Sequence, residues 1–91
     1  MAEIIKADGQ KQELQPANGT DFTLEEMQSI VGGYIELVEL NETDTMVLNE
    51  EGKLEGLPIN IKATVLFRSH YPNSNDIIVG NVLVCNNNQI R

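Results

Sequence analysis

The chain predicts a small α+β domain, a mostly antiparallel sheet of four to five strands with one or two short helices in the order β-β-α-β-β-α-β. Three observations lead there. A helix with both ends marked lies at Thr23–Gly33. Short β-rich runs are separated by Gly-, Asn- and Asp-containing turns. The 91-residue length suits a single thin core.

Ala2 to Ala7 reads as a strand. Asp8-Gly9 is a hairpin signal of the type I′ kind, because Asp tolerates positive φ and Gly takes it freely. Gln10 to Leu14, polar and suited to a sheet edge, is the return strand, and Pro16–Gly19 is loop. In the helix that follows, Thr23 and Glu26 form a capping box, and Phe22 and Met27 occupy the staple positions. Glu25 and Glu26 suit the positive end of the helix dipole. Leu24, Met27, Ile30 and Val31 share one face, and Gly32-Gly33 is the stop signal.

Tyr34 to Leu40 is a strand with Glu36 and Glu39 on opposite faces; Asn41–Asp44 is a turn, and Thr45 to Asn49 completes a second hairpin. Leu57 to Arg68 fits both periods. Ile59, Ile61, Ala63, Val65 and Phe67 alternate as in a strand, whereas Ile59, Ala63, Leu66 and Phe67 fall at helical spacing. Pro58 would suit a first helical turn. Asp76 to Cys85 is the strongest strand, apolar on both faces and therefore central, with Gly80 marking a bulge or a close approach. The domain core is expected at residues 1–85, and residues 86–91 as a frayed polar tail.

In order, L-E-E-M-Q-S-I-V-G-G-Y-I-E at Leu24–Glu36, N-E-E-G-K-L-E-G-L-P-I-N at Asn49–Asn60, A-T at Ala63–Thr64 and D-I-I-V-G-N-V-L-V at Asp76–Val84 resemble a small family encoded by phages, plasmids and bacterial chromosomes, catalogued only as a domain of unknown function. The resemblance covers roughly Met1 to Cys85. It implies an α+β domain, a mobile-element origin and a helical Leu57–Arg68 stretch with Asn60 near its start, which tips that ambiguity toward helix. It carries over no catalytic residue.

Charge bounds the function classes. The net charge is -8, and Asp21 to Glu55 holds ten acids against the single base Lys53. Such a field repels phosphate backbones, so direct nucleic-acid binding is not expected. No apolar run approaches the ~20 residues that a bilayer requires, and the N-terminus lacks the basic start and apolar centre of a signal peptide. With one cysteine, Cys85, no internal disulfide can form, and the expected location is the cytoplasm, the host's if the chain is phage-encoded.

No enzyme is expected. A zinc site would need His70, Asp76 and Cys85 to converge by folding alone. A Cys85–His70 pair lacks any nucleophile motif. The acidic turns Asn41–Asp44 and Asn49–Glu51 lack calcium-loop spacing. Gly32-Gly33 ends a helix, whereas phosphate loops precede one. No cofactor or metal is therefore expected. The candidate site is a surface for a partner protein with a basic face: Tyr34, Glu36, Glu39, Glu42, Asp44, Glu50, Glu51 and Glu55. The sharpest form of this expectation is an anti-defence inhibitor, of anti-CRISPR or anti-restriction type, that blocks the nucleic-acid groove of a host protein. The alternatives are a nucleotide- or metal-binding module with a pocket at Gly80 and Gly32-Gly33, and an oligomer-forming protein whose strands Ala2–Ala7 and Thr45–Asn49 pair across a dimer. Monomer and homodimer both remain open.

Overall fold

The computed structural model describes residues 2–91. The elements run β1 (Ala2–Ile5), β2 (Lys11–Leu14), α1 (Leu24–Val31), β3 (Ile35–Glu39), β4 (Asp44–Asn49), α2 (Ile61–His70) and β5 (Val82–Asn86), followed by a 3-10 turn at Asn87–Gln89. This is the expected α+β order. All strand pairings within the sheet are antiparallel, and the sheet order is β2-β1-β5-β4-β3.

The alternation of side chains along the strands splits the core in two. Leu83 and Cys85 of β5, Val47 of β4 and Ala2 of β1 lie with Met27 and Val31 of α1. Val82, Met46 and Ile5, from the same three strands, lie with Ala63 and Phe67 of α2. One helix thus covers each sheet face. β5 supplies fully buried residues to both clusters, which makes it the central strand that its two-sided apolar pattern predicts.

Helix α1 is built as its sequence reads. Thr23 Oγ1 accepts from the Glu26 amide at 3.2 Å, and Glu26 accepts from the Thr23 amide at 2.9 Å. Phe22 and Met27 are buried in one cluster, as a staple requires. Gly32 closes the helix at φ +83°, in the left-handed region, with its amide on the Gln28 carbonyl at 2.8 Å.

Several boundaries differ from the sequence expectation, each for a local reason. The first hairpin is not type I′: Gly9 has φ +95° but among the described residues no non-glycine has positive φ, and Lys6 and Gln10 bracket a three-residue loop closed by a left-handed glycine. The second helix starts at Ile61, so Pro58 precedes it rather than occupying its first turn. The strand from Asp76 is shorter than expected and begins only at Val82. The Ile78 amide and carbonyl are taken by Thr64 Oγ1 at 3.0 Å and by the Asn60 amide at 2.8 Å, so they cannot join the sheet. At Gly80 the chain turns with φ +75°, and a Cβ there would lie 2.8 Å from Leu57 Cδ1; the close neighbour is a side chain rather than the other backbone that a glycine in a strand-like run suggests.

The polar tail is not frayed. Asn86 belongs to β5 and caps the 3-10 turn, the Phe22 amide donates to the Gln89 carbonyl at 2.7 Å, and Ile90 packs on the α1 cluster. The core therefore does not end at Cys85. Neither Ala2–Ile5 nor Asp44–Asn49 is an outer strand, since each has a neighbour on both sides, so neither is free to pair across a dimer.

The junction of the two halves is Asn60, a fully buried polar side chain. Its Nδ2 donates to the carbonyls of Ile5 and Gly80, both at 2.8 Å, while its Oδ1 accepts from the Ala63 amide at 3.0 Å. A buried group left without its partner costs about 1–3 kcal/mol. Asn60→Ala is expected to lower unfolding free energy by about 2–4 kcal/mol, for two carbonyls and one amide. Asn60→Asp keeps the helix cap but sets a carboxylate against two carbonyl oxygens. Relative to wild type, denaturant titration should find it least stable near neutral pH and partly restored in acid, where the carboxyl can donate.

Glu26 yields a pH prediction. The amides of Thr23 and Ala17 hold its carboxyl below the usual 4.5. A depressed folded-state pKa contributes stability that is present above the unfolded value and is lost as pH falls through the folded value. Thermal unfolding from pH 6 downward should show an acid limb that Glu26→Gln flattens.

Candidate functional site

The sequence places acids densely between Asp21 and Glu55, and the sheet order turns that density into a side of the molecule. β3 is one edge strand, carrying Glu36 and Glu39, and the turns at its two ends carry Glu42 and Glu50–Glu55. The β1-β2 hairpin, with Lys6 and Lys11, lies at the other edge, and Lys62 Nζ reaches across to the Gly9 carbonyl at 2.6 Å. Lys53, the base within the acidic block, is paired with Asp76, whose carboxyl its hydrogen bond holds below the ordinary range.

The structure gathers only part of the expected set. Tyr34, Glu51 and Glu55 line a shallow, open cleft of about 510 Å³, joined there by Glu25, Gln28 and Ser29 of α1. Tyr34 is 65% exposed and forms one wall of the cleft. Glu36 and Glu50 belong to a separate groove of about 350 Å³ on the α2 side of the sheet, floored by Val38, Leu48 and Phe67. Register sets Glu39 on the opposite face from Glu36, as the alternation predicts. Glu42 sits in the β3-β4 turn and Asp44 opens β4 directly after it; Asn41 Oδ1 accepts from the amides of Thr43 and Asp44, both at 2.8 Å.

The residue that organises the cleft escaped sequence reasoning. Asn49 is buried at the end of β4. Its Nδ2 donates to the Val31 carbonyl at 3.2 Å and to Glu55 Oε1 at 3.1 Å; its Oδ1 accepts from the Glu51 amide at 2.8 Å. One amide thus caps the last turn of α1 and fixes the loop bearing both glutamates. Gly33 has its own reason to be glycine: a Cβ there would stand 3.0 Å from Asn49 Nδ2. Only Gly32 is the stop signal. An N-x-x-G spacing flanked by glutamates at the end of a strand was the available hint.

The other expectations disperse. His70 and Asp76 are exposed, whereas Cys85 is 1% exposed within the α1-side cluster, so the three do not converge. Among the described residues no group of His, Cys, Asp and Glu is placed to hold a metal. Gly32 and Gly80 do share a cleft, of about 340 Å³, but no charged side chain lines it. Among the described residues no helix is long and apolar enough to cross a membrane.

Burial, and then the Asp44 carboxylate, push the Cys85 thiol up to about 11, so it stays protonated at neutral pH. An alkylating reagent at pH 8 should leave the native protein unlabelled for as long as it stays folded, and label it fully in denaturant; mass spectrometry reads both.

Together the fold and cleft define a small α+β protein with one acidic edge and a tyrosine-walled acidic cleft. The chain belongs to the family described as Domain of unknown function (DUF3846), whose profile matches residues 2–90. Comparison with curated proteins gave no match, and neither did comparison with solved structures.

Proposed function

We propose that this protein acts by binding another protein, docking its acidic edge on a basic surface. The observation that carries this reading is the cleft in which the exposed Tyr34 ring stands beside Glu25, Glu51 and Glu55 with no basic side chain in its lining. An aromatic face next to carboxylates suits an arginine or lysine side chain, through cation–π attraction worth about 0.5–1 kcal/mol at an exposed site together with charge-assisted hydrogen bonds. The same field opposes a phosphate ligand.

The finer reading is an accessory protein of a phage or other mobile element, working in the host cytoplasm. The motif phrases from Leu24 to Val84 support that origin. A basic surface built to hold nucleic acid is the natural target for an acidic edge, and a host defence nuclease, of CRISPR or restriction type, is the sharpest instance.

The test is salt-dependent capture. Immobilised protein should retain a basic host protein at about 50 mM salt and release it by about 500 mM, because exposed charge pairs are screened over that range. Tyr34→Ala combined with Glu51→Lys and Glu55→Lys should weaken capture about tenfold or more. Retention insensitive to both salt and these substitutions would overturn the reading, as would the absence of any basic partner. Loss of restriction or CRISPR interference in cells expressing the protein, restored by the triple variant, would support the anti-defence form.

A further inference from the structure

The free edge of β3 bears on how such a partner is held. Its backbone can be assigned by register. The Tyr34 carbonyl accepts from Glu50 and the Leu40 amide donates to Asp44, both at 2.9 Å across the β3-β4 hairpin. Antiparallel pairing alternates, so Tyr34, Glu36, Val38 and Leu40 turn their amides and carbonyls toward β4, while Ile35, Leu37 and Glu39 turn theirs outward. The Glu39 carbonyl is taken by the Tyr71 hydroxyl. Among the described residues, nothing meets the outward groups of Ile35 and Leu37.

The two edges of the sheet are finished differently. β2 presents Lys11, Gln12 and Glu13, all exposed, a short and polar edge of the kind that discourages pairing. β3 presents Leu37, 49% exposed, with acids on either face of the strand but no lysine. On its α2 side lies the groove floored by Val38, Leu48 and Phe67 and rimmed by Glu36 and Glu50; Lys53, also at the rim, is committed to Asp76.

We infer that β3 accepts an extended basic segment of the partner as a sixth strand. This rests on the protein-binding reading above and specifies its mode. Backbone bonds to Ile35 and Leu37 would supply affinity, and alternate side chains would supply selectivity. Segment residues opposite Leu37 share its face. Their neighbours lie on the α2 face, where a lysine can rest its methylenes on Val38 and Leu48 and set its ammonium at Glu36 and Glu50. A second copy of β3 is disfavoured as the occupant because it would bring its own Glu36 and Glu39 to an edge already carrying those acids.

The probe is a short synthetic peptide alternating Val and Lys, long enough to span Ile35–Glu39, measured by calorimetry at low salt. In the inferred pairing the valine amides face β3 and the lysine amides face solvent. N-methylation of the valines should weaken binding about tenfold or more, and N-methylation of the lysines should leave it within about twofold. Leu37→Pro removes no bond to β4, since that amide faces outward, and should abolish peptide binding while the circular dichroism spectrum is kept. If the variant unfolds, the methylated peptides still decide. Equal loss with both methylation patterns, or none with either, would overturn strand addition and leave the salt-dependent docking of the intact partner standing. Absence of peptide binding would overturn it as well. So would a concentration-dependent dimer that Leu37→Pro dissociates, since that names a second copy as the occupant.

Discussion

The side chain of Asn60 is the constraint from which the rest of this structure follows. Three parts of the chain, distant in sequence, each have a backbone group that the sheet cannot satisfy: the carbonyl at the end of β1, the carbonyl of Gly80 before β5, and an amide in the first turn of α2. A single carboxamide meets all three with two donor hydrogens and one acceptor oxygen. Aspartate lacks the donors, and an apolar residue lacks both. Thr64 repeats the logic one turn on, its hydroxyl donating to the Asn60 carbonyl at 2.8 Å and accepting from Ile78. These bonds set the height at which α2 lies on the sheet, and they divert the Asp76–Asn81 segment from the sheet to the helix.

Asn49 does at the other helix what Asn60 does here, and the two divide the labour of the molecule. Asn60 joins elements inside the core, whereas Asn49 joins the end of α1 to the loop that carries Glu51 and Glu55. A buried amide therefore holds the Glu55 carboxylate and the backbone at Glu51. That bears on the strength of binding. A solvent-exposed ion pair contributes about 0–1 kcal/mol, much of it lost to screening and side-chain entropy. Charge alone would steer a basic partner toward this edge without holding it in one pose. In the proposed docking, a Glu55 carboxylate fixed by Asn49 beside an aromatic wall, next to a strand with open backbone groups, adds the direction that charge does not have.

The sequence was legible where local rules agree. Thr23 and Glu26 cap α1, Phe22 and Met27 staple it and Gly32 ends it, all within a dozen residues, so its bounds could be read directly even though distant residues pack on it. The two-sided apolar run Val82–Cys85 announced a central strand. It was misleading where a distant partner overrides the local pattern. Ile77, Ile78 and Val79 look like strand, yet their neighbourhood is set by Asn60 and Thr64, residues more than ten positions away. Asn86–Gln89 look like a solvated tail, yet Gln89 bonds Phe22 at the start of α1. The acids were countable from sequence, but their division between a cleft at Tyr34, a groove at Glu36 and a turn at Glu42 depends on strand register and on Asn49, and neither shows in composition.

The central place of β5 has a consequence for how the chain is made. The two hairpins β1-β2 and β3-β4 are local and can form early, but they do not touch one another in the sheet: the strand between them is the last in the sequence. Its pairing with β1 joins Glu3 to Val84 and Ile5 to Val82. On the ribosome, neither hairpin can gain its central neighbour until residues 82–86 emerge, and the pairing then made joins residues 3–5 to residues 82–84. Pairings of such long sequence separation slow folding and lengthen exposure of unpaired edges. During that interval the excess of acids from Asp21 to Glu55 opposes close approach of two such chains, so the acids that shape the finished surface also act before it is complete.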